Sequence, residues 1–274
     1  RLIGTGDHRR PKGTPPDLGA YNAPMCTDTE LALLIDRLRA GARTTILTGA
    51  GVSAASGVPT FREPDGLWKR HRPEDLATPE AFAKDPTLVW EWYDWRRQLI
   101  AACEPNRAHA VIADWSRPYP DCRLITQNVD GLHERAGAED VIRFHGSLWE
   151  VGCWRACAGS PHRWMDRTVP FDPLPPRCPL CDGPLRPGVV WFGEGIDESV
   201  LSRSDNATAC DLFLTIGTSS MVYPAAGLVQ QARHRGAFTV ELNPGATPLS
   251  DGVDLVLRGR AETVLDAIEQ RLAG

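Results

Sequence analysis

Short runs of apolar and β-branched residues alternate with longer amphipathic stretches over most of this chain. The short runs have the length and composition of buried strands, and they lie at 44–48, 123–126, 141–144, 211–216, 238–242 and 254–257. The longer stretches predict helices, at 79–83, 86–102, 108–116, 224–235 and 262–272. Another helix is predicted after the capping box of Thr27 and Glu30. This alternation predicts an α/β fold with a mostly parallel sheet and helices on both faces.

The segment 149–187 breaks this alternation. It is rich in Pro, Cys, Trp and Arg and has no long apolar period, so it could not build a hydrophobic core without help. It carries two closely spaced cysteine pairs, Cys153 with Cys157 and Cys178 with Cys181. Such pairs can bring four thiolates around one tetrahedral zinc ion, which we predict to be structural because no ligand position is open for water. The alternative is four reduced thiols in a loop-rich segment.

This pattern divides the chain into three parts. Residues 1–24 contain many Gly and Pro and lack apolar periodicity, which predicts a flexible extension. Residues 25–148 and 188–274 are predicted to form the α/β domain, and 149–187 an inserted zinc-binding module. The length of 274 residues agrees with one large domain and a smaller module.

The composition is ordinary for a soluble globular protein, with 42% hydrophobic and 24% charged residues. A net charge of −5 argues against nucleic acid or an anionic membrane surface as a partner. No apolar run approaches the roughly 20 residues that span a bilayer, and no signal-type segment is evident, so we expect a cytoplasmic protein. The other cysteines lie in or beside apolar segments and are expected to be inert, buried thiols: Cys26, Cys103, Cys122 and Cys210.

The strand at 44–48 leads into the glycine-rich sequence GAGVSA at 49–54. A strand, a glycine turn and a helix in this order bind the pyrophosphate of a dinucleotide in Rossmann-like folds, with backbone amides facing the anion. On this interpretation Gly49 makes the tight turn, Gly51 lets the backbone approach the phosphates, and Ala54 permits close helix–strand packing. A glycine turn without a ligand is the alternative that this stretch alone leaves open.

Polar residues also follow other predicted strands. Gln127, Asn128 and Asp130 come after the strand at 123–126, and His145 comes directly after the strand at 141–144. Residues 217–220 and 242–245 repeat the pattern. The carboxyl ends of parallel strands form the ligand crevice of such folds, and a neutral imidazole there can act as a general base. A helix cap and a structural histidine are the alternatives.

Together these motifs resemble the sirtuin family of NAD-dependent protein deacylases. The resemblance spans about 25–272 and rests on GAGVSAASGVPTFR (49–62), TQNVDGLHERAG (126–137), FHGS (144–147), the cysteine pairs, LRPGVVWFGE (185–194), GTSSMVYPAA (217–226) and ELN (241–243). Two features depart from the family pattern. The first cysteine pair has one extra residue, and Gly188 stands where the family often has a larger residue.

The resemblance implies a set of NAD-binding residues. The pyrophosphate would be bound by Gly49, Ala50, Gly51 and Ser53, and the adjoining ribose would be covered by Phe61 and Arg62. Gln127 would contact the nicotinamide ribose, Asn128 would position a water and Asp130 would bind the carboxamide. The adenosine half would be bound by Gly217, Thr218, Ser219, Asn243 and Ala261. Trp68, within a stretch at 63–71 dominated by Pro, Gly and charge, would belong to a mobile cofactor loop.

The resemblance also implies the reaction. The amide oxygen of an acyl-lysine attacks the nicotinamide ribose and expels nicotinamide; His145 then deprotonates a ribose hydroxyl, and water releases lysine and an O-acyl-ADP-ribose. The substrate peptide would add as a strand along Val190, Trp191 and Phe192. We expect a monomer that binds acyl-lysine proteins and neither nucleic acid nor membrane.

Tyr93 and Arg96 lie three residues apart in a predicted helix and therefore share a face. A phenol and a guanidinium together suit a carboxylate, although a solvated arginine beside an aromatic stripe is the alternative. This pair, with Ala77 upstream leaving space, resembles the sirtuin subgroup that removes succinyl and malonyl groups. We therefore predict removal of acidic acyl groups alongside acetyl. The competing functions are ADP-ribosyl transfer to protein, a silent NAD-sensing module and an NAD-dependent oxidoreductase.

Overall fold

The computed structural model describes residues 26–59, 72–117, 122–159 and 162–274. Within these ranges the strands are β1 (Thr44–Thr48), β2 (Arg123–Thr126), β3 (Ile142–Arg143), β4 (Gly146–Cys153), β5 (Trp164–Met165), β6 (Leu185–Val189), β7 (Leu212–Ile216), β8 (Phe238–Asn243) and β9 (Leu255–Arg258). The α-helices are α1 (Asp28–Arg39), α2 (Pro73–Leu76), α3 (Pro79–Lys84), α4 (Pro86–Ala101), α5 (Arg107–Ser116), α6 (Leu132–Arg135), α7 (Glu198–Ala207), α8 (Leu228–His234) and α9 (Ala261–Ala273). The 3₁₀ helices of the same ranges lie at Ala50–Ser56, Ala225–Gly227 and Ser250–Gly252.

The larger sheet confirms the predicted α/β fold. Its six strands have the order β3-β2-β1-β7-β8-β9, and each neighbouring pair is parallel. The strand β2, which follows β1 in the sequence, pairs with one side of β1, and β7 pairs with the other side. Loops that leave neighbouring strands in opposite directions open a crevice at the carboxyl ends of these strands.

Alternating side chains of the larger sheet enter two different hydrophobic cores. Ile46 packs in the core formed with α1, α5 and α9, while the next residue, Leu47, packs in the core formed with α8. Leu214 and Phe213 of β7 follow the same alternation. Both faces of the sheet are therefore covered, as the continuous burial of β1 and β7 requires.

The smaller sheet has three strands in the order β5-β4-β6, with antiparallel pairing. It shares an aromatic core with α3 and α4 that includes Phe82, Trp90, Trp149 and Trp191. The inserted segment therefore obtains its core from helices outside its own sequence. The strand β4 crosses the domain boundary predicted between 148 and 149, and the division into domains stays a prediction.

A buried arginine on α4 connects this helix to the smaller sheet. The side chain of Arg97 is inaccessible to solvent, and its guanidinium lies 5.1 Å from the ring of Trp149 and 4.7 Å from that of Phe171. It donates hydrogen bonds to the backbone carbonyls of Leu148, Asp166 and Thr168, at 2.7, 2.6 and 3.1 Å. One cation therefore supplies the donors for three carbonyls around the irregular chain near β5.

The structure explains the unusual glycine at position 188. A Cβ atom on Gly188 would lie 2.4 Å from the Cβ of Glu150, and one on Gly146 would lie 2.2 Å from the carbonyl oxygen of Gly188. The pairing register of β4 and β6 shifts between Gly146 and Val151, the stretch that contains these contacts. Glycine is therefore required at 188 by contact with β4.

The observed helices differ from the predicted ones, since α2, α6 and α7 have no counterpart among the predictions. The helix α7 was not predicted, because only Ser204 and Ala207 of its residues are buried and no apolar stripe marks it. The helix predicted at 224–235 begins as a 3₁₀ turn and becomes α-helical only at Leu228. In the part of the chain that the structure describes, none of the helices has both the length and the apolar character needed to cross a membrane.

Candidate active site

The loops after the central strands meet at one edge of the larger sheet. The side-chain amide of Asn128 donates to the carbonyl of Gly49 at 3.1 Å. The amide of Gln127 donates to the hydroxyl of Thr218 at 3.0 Å, and that of Asn243 donates to the Thr218 carbonyl at 2.6 Å. Residues from the ends of β1, β2, β7 and β8 therefore form one polar cluster.

The glycines after β1 are required by contact between two loops. Gly49 has φ −129° and ψ −174°, an extended conformation open to any residue, so the turn itself does not need glycine. A Cβ atom on Gly49 would lie 2.7 Å from the Cα of Thr218, and one on Gly51 would lie 2.7 Å from the carbonyl oxygen of Gly217. Ala54 is exposed, so the prediction that it packs the helix against the strand is wrong; the two residues before it are the buried ones.

Asp130 is almost fully buried beneath the glycine loop. Its Oδ2 accepts the hydroxyl of Ser53 at 2.7 Å, and its Oδ1 accepts the backbone amide of Leu132 at 2.9 Å. Burial raises the pKa of this carboxyl group, and these two hydrogen bonds oppose the increase. The carboxylate is therefore held in one orientation, with acceptor capacity left on both oxygens.

Two buried histidines adjoin this cluster, and the sequence analysis did not single them out. The rings of His109 and His133 have centroids 4.9 Å apart. Nε2 of His109 lies 3.3 Å from the hydroxyl of Ser53, and Nε2 of His133 lies 3.0 Å from that of Thr48. Burial lowers the pKa of His109 to about 3 and that of His133 to about 4, so both rings are neutral. The only sequence signal for His109 is its position three residues after the helix-capping Asn106.

His145 has the geometry of a general base. Its Nδ1 lies 3.1 Å from the carbonyl oxygen of Gln127. A carbonyl can only accept, so Nδ1 carries the proton and Nε2 of the neutral ring keeps its lone pair. Burial lowers the pKa of His145, which keeps the ring neutral at physiological pH. The carbonyl of His145 accepts the amide of Val190 at 2.9 Å and so ties this histidine to the predicted peptide-binding segment.

Tyr93 lies next to that segment. Its hydroxyl oxygen accepts the indole N–H of Trp191 at 2.9 Å, and burial raises its pKa to about 12. The group is therefore a neutral phenol whose O–H can donate to a ligand. The amide of Phe192 donates to the carbonyl of Ala77 at 2.9 Å, which places this alanine beside the same segment.

Arg96 occupies the face of α4 that carries Tyr93. Its guanidinium lies 5.1 Å from the ring of Trp92 and 6.0 Å from that of Tyr93. The next residue, Arg97, is fully buried, the preceding Trp95 is exposed, and Arg96 is intermediate. Burial lowers the pKa of Arg96 from its ordinary value. A cation only partly in contact with water is a better carboxylate ligand than a fully solvated one.

The four paired cysteines form a compact cluster. Their sulfur atoms all lie within 4.8 Å of one another, and the closest pairs are Cys153–Cys181 at 3.6 Å and Cys157–Cys178 at 3.7 Å. A tetrahedral ion with Zn–S bonds of about 2.3 Å requires sulfur–sulfur distances of about 3.8 Å. Backbone amides lower the pKa of Cys153 to about 6 and also lower that of Cys178, whereas burial raises the pKa of Cys157 to about 12. The donor set fits a structural zinc ion, and the extra residue in the first pair does not prevent convergence.

Comparisons with known proteins agree with this geometry. The Sir2 family model matches residues 49–224. The NAD-dependent protein deacylase of Aquifex aeolicus is 48% identical over 223 residues, which cover 81% of this chain and 92% of that protein. The chain belongs to the Sir2 family. A crystal structure of a Sir2 homologue with NAD has a TM-score of 0.81 and 44% identity, covering 88% of this chain and 93% of the other.

A Sir2 complex with a deacetylated p53 peptide and 3′-O-acetyl ADP-ribose has a TM-score of 0.77 at 28% identity, covering 88% of this chain and 98% of that chain. For this Sir2 chain, NAD is the cofactor and zinc the structural metal.

Three of the predicted NAD-binding residues lie outside the described part of the chain: Phe61, Arg62 and Trp68. Ser219 is half-buried in the loop after β7, and Ala261 is buried at the first position of α9. The individual NAD-binding roles stay predictions.

The prediction that the remaining four cysteines are inert, buried thiols is borne out for burial in only two of them. Cys103 and Cys210 are buried, whereas Cys26 and Cys122 are half-buried. Burial raises the pKa of all four thiols, that of Cys122 to about 12. They are therefore protonated at physiological pH and are poor nucleophiles.

Proposed function

We propose that this protein removes succinyl and malonyl groups, as well as acetyl groups, from lysine side chains of proteins. Its membership of the Sir2 family makes it an NAD-dependent protein deacylase. The acyl preference rests on one observation: the neutral phenol of Tyr93, oriented by Trp191, lies on the same helix face as the partly buried cation of Arg96. Together they offer a donor and a positive charge to the distal carboxylate of an acidic acyl group.

The polar cluster at the sheet edge supplies the groups that the reaction needs. When bound, NAD provides the ribose carbon that the acyl oxygen attacks as nicotinamide leaves. His145 can take the proton of a ribose hydroxyl at Nε2, because its Nδ1–H is directed at the carbonyl of Gln127. The carboxylate of Asp130, held by Ser53, can accept from a carboxamide N–H, and the amide of Asn128 can orient a water molecule.

The substrate peptide is proposed to add as a strand beside residues 190–193. The amides of Val190, Trp191 and Phe192 already donate within the protein, to His145, Glu194 and Ala77 respectively. Among the described residues, none donates to the carbonyl of Phe192 and none accepts from the amide of Gly193. The carbonyls of Val190 and Gly193 likewise receive no hydrogen bond from the described residues, so these four backbone groups are available to an added strand. The monomeric state and the cytoplasmic location stay predictions.

The substitution Arg96→Met tests the acyl preference. It keeps an unbranched apolar stem and removes the cation. We expect kcat/KM for a succinyl-lysine peptide to fall about 30- to 700-fold relative to the acetyl-lysine peptide, because a charge-assisted bidentate contact of about 2–4 kcal/mol is lost. Steady-state kinetics with both peptides at saturating NAD measure this ratio.

Arg107→Met is the matched control, because Arg107 is an exposed arginine on α5 that is paired with Asp266 of α9. It should leave the ratio unchanged. An unchanged ratio in Arg96→Met would refute the acidic-acyl proposal. Labelled ADP-ribose retained on protein, in place of a released O-acyl product, would support ADP-ribosyl transfer instead.

A further inference from the structure

The indole of Trp191, which holds the hydroxyl of Tyr93, is itself fixed by charged side chains that the catalytic scheme does not use. The guanidinium carbon of Arg186 lies 3.8 Å from the centre of the Trp191 ring. On α3, Phe82 packs against the same indole with its ring centroid 5.2 Å away. Trp191 is 2% exposed, so this packing leaves the indole little room to rotate.

Arg186 is in turn fixed by Glu194. Nη1 and Nη2 of Arg186 donate to the two carboxylate oxygens of Glu194 at 2.6 and 2.9 Å, and Nη2 also donates to the carbonyl of Val189 at 3.0 Å. The same Glu194 accepts the backbone amide of Trp191 at 2.9 Å. Burial raises the pKa of Glu194, but the hydrogen bonds from Arg186 and Trp191 outweigh it and lower the pKa overall. The side chains are only 17% and 22% exposed, so solvent screens this pair less than a surface pair.

We propose that Arg186 and Glu194 are positioning residues for acyl selectivity: they fix Trp191 and, through its indole N–H, the phenol of Tyr93. Neither side chain is among the residues assigned above to the acyl group or the cofactor. Its contribution is to hold the Tyr93 oxygen where its O–H can reach a distal carboxylate. The inference rests on the proposed preference for acidic acyl groups.

A purely electrostatic role of Arg186 makes the opposite prediction for one substitution. If the cation attracted the acyl carboxylate at a distance, neutralising its partner in Glu194→Gln would leave more net positive charge and raise the preference for succinyl-lysine. If the pair acts by position, the same substitution weakens the bidentate contact, frees Trp191 and lowers that preference. The sign of the change therefore separates the two roles.

The experiment measures kcat and KM for succinyl- and acetyl-lysine peptides in Glu194→Gln, Arg186→Lys, Arg96→Met and the control Arg203→Met. Arg203 forms an exposed pair with Asp140. We expect Glu194→Gln to lower the succinyl-to-acetyl ratio about 3- to 10-fold, mainly through KM. Arg186→Lys keeps the charge but not the planar fork, so it should lower the ratio in the same way. Arg203→Met should not change it.

A spectroscopic readout accompanies the kinetics. The indole N–H resonance of Trp191, assigned by its loss in Trp191→Phe, should shift or broaden in Glu194→Gln and Arg186→Lys and stay in place in Arg203→Met. A raised or unchanged ratio in Glu194→Gln, with Arg96→Met still lowering it, would overturn the positioning role and leave the proposed function intact. An unchanged ratio in Arg96→Met would overturn both the positioning role and the proposed function. A displaced indole resonance in Glu194→Gln would then show that the Arg186–Glu194 pair fixes Trp191 without serving acyl selectivity.

Discussion

The two sheets of this protein are stabilised in different ways. The six-stranded sheet is covered on both faces by aliphatic side chains that alternate along each strand, such as Ile46 and Leu47. The three-stranded sheet shares an aromatic core with α3 and α4 and adds a few specific contacts: four cysteines, a buried arginine at position 97 and the close crossing of β4 and β6 at Gly188. Burial spread over many residues tolerates single changes, whereas loss of one buried polar contact or metal ligand leaves its partners unsatisfied. The comparison predicts that single substitutions destabilise the region of the smaller sheet more than that of the larger sheet.

The largest effect should come from the metal. Cys178→Ser removes a buried zinc ligand, and a structural zinc site contributes about 10 kcal/mol or more of folding free energy. We expect zinc content to fall and amide hydrogens of β4 and β6 to exchange rapidly, while β1 and β7 stay protected. Hydrogen-exchange mass spectrometry measures both regions at once.

Cys210→Ser is the control, because Cys210 is a buried thiol outside the cluster. It should keep its zinc and its exchange pattern. Equal loss of protection in both sheets of Cys178→Ser would show that the two regions unfold as one unit and would remove the basis of the comparison.

The second largest expected loss of stability comes from substitution of Arg97. Arg97→Met keeps the aliphatic volume but leaves three carbonyl groups near β5 without their donor. Removing one member of a buried charged network costs about 3–5 kcal/mol, so the free energy of unfolding should fall by that amount. Urea titration measures it, with Arg107→Met as a surface control worth at most about 1 kcal/mol. A loss below 1 kcal/mol in Arg97→Met would mean that the smaller sheet does not depend on this side chain.

Acid should lower the stability of the six-stranded region through two buried histidines. His109 and His133 have folded-state pKa values of about 3 and 4, whereas both would titrate near 6.5 in the unfolded chain. Below pH 6.5 the unfolded state therefore binds more protons than the folded state, and stability falls as the pH decreases. At pH 5.5 the expected loss for the two histidines is about 2–3 kcal/mol relative to neutral pH.

Denaturant titrations between pH 7.5 and 5 measure this slope. His133→Gln should make it shallower, and the exposed His234→Gln should not alter it. A stability that does not change between pH 7 and 5.5 would contradict neutral burial of the two rings.

The smallest effect should come from the glycine loop. The Cβ atom of Gly51→Ala would meet the carbonyl oxygen of Gly217, and overpacking of this kind costs about 1–2 kcal/mol. We expect a raised KM for NAD with little change in the protection of the sheet. Gly195→Ala is the control, because its Cβ would meet no atom within 4 Å. An unchanged KM for NAD in Gly51→Ala would mean that the contact between the loops after β1 and β7 does not shape the NAD site.

The difference between the two sheets also explains what could be predicted from the sequence. The strands β1 and β7 are visible as apolar runs because both of their faces are buried, and the zinc ligands are visible by their spacing. The contacts of Arg97 and the pair of Arg186 with Glu194 connect residues that no periodicity relates, so the sequence pattern did not reveal them. His109 was missed for the same reason, since its partner Ser53 lies 56 residues earlier. The resemblance identified Tyr93 and Arg96 as candidate acyl-binding residues. Their spacing alone was also compatible with a solvated arginine beside an aromatic stripe.

The most direct test of the central proposal is mass spectrometry of one lysine peptide, bearing either a succinyl or an acetyl group, incubated with the protein in the presence and absence of NAD. The account predicts NAD-dependent loss of succinyl that exceeds the loss of acetyl, together with a released O-acyl-ADP-ribose. Loss of acetyl without loss of succinyl would contradict the carboxylate role of Tyr93 and Arg96 while leaving the deacylase. Loss of neither group would contradict the account as a whole.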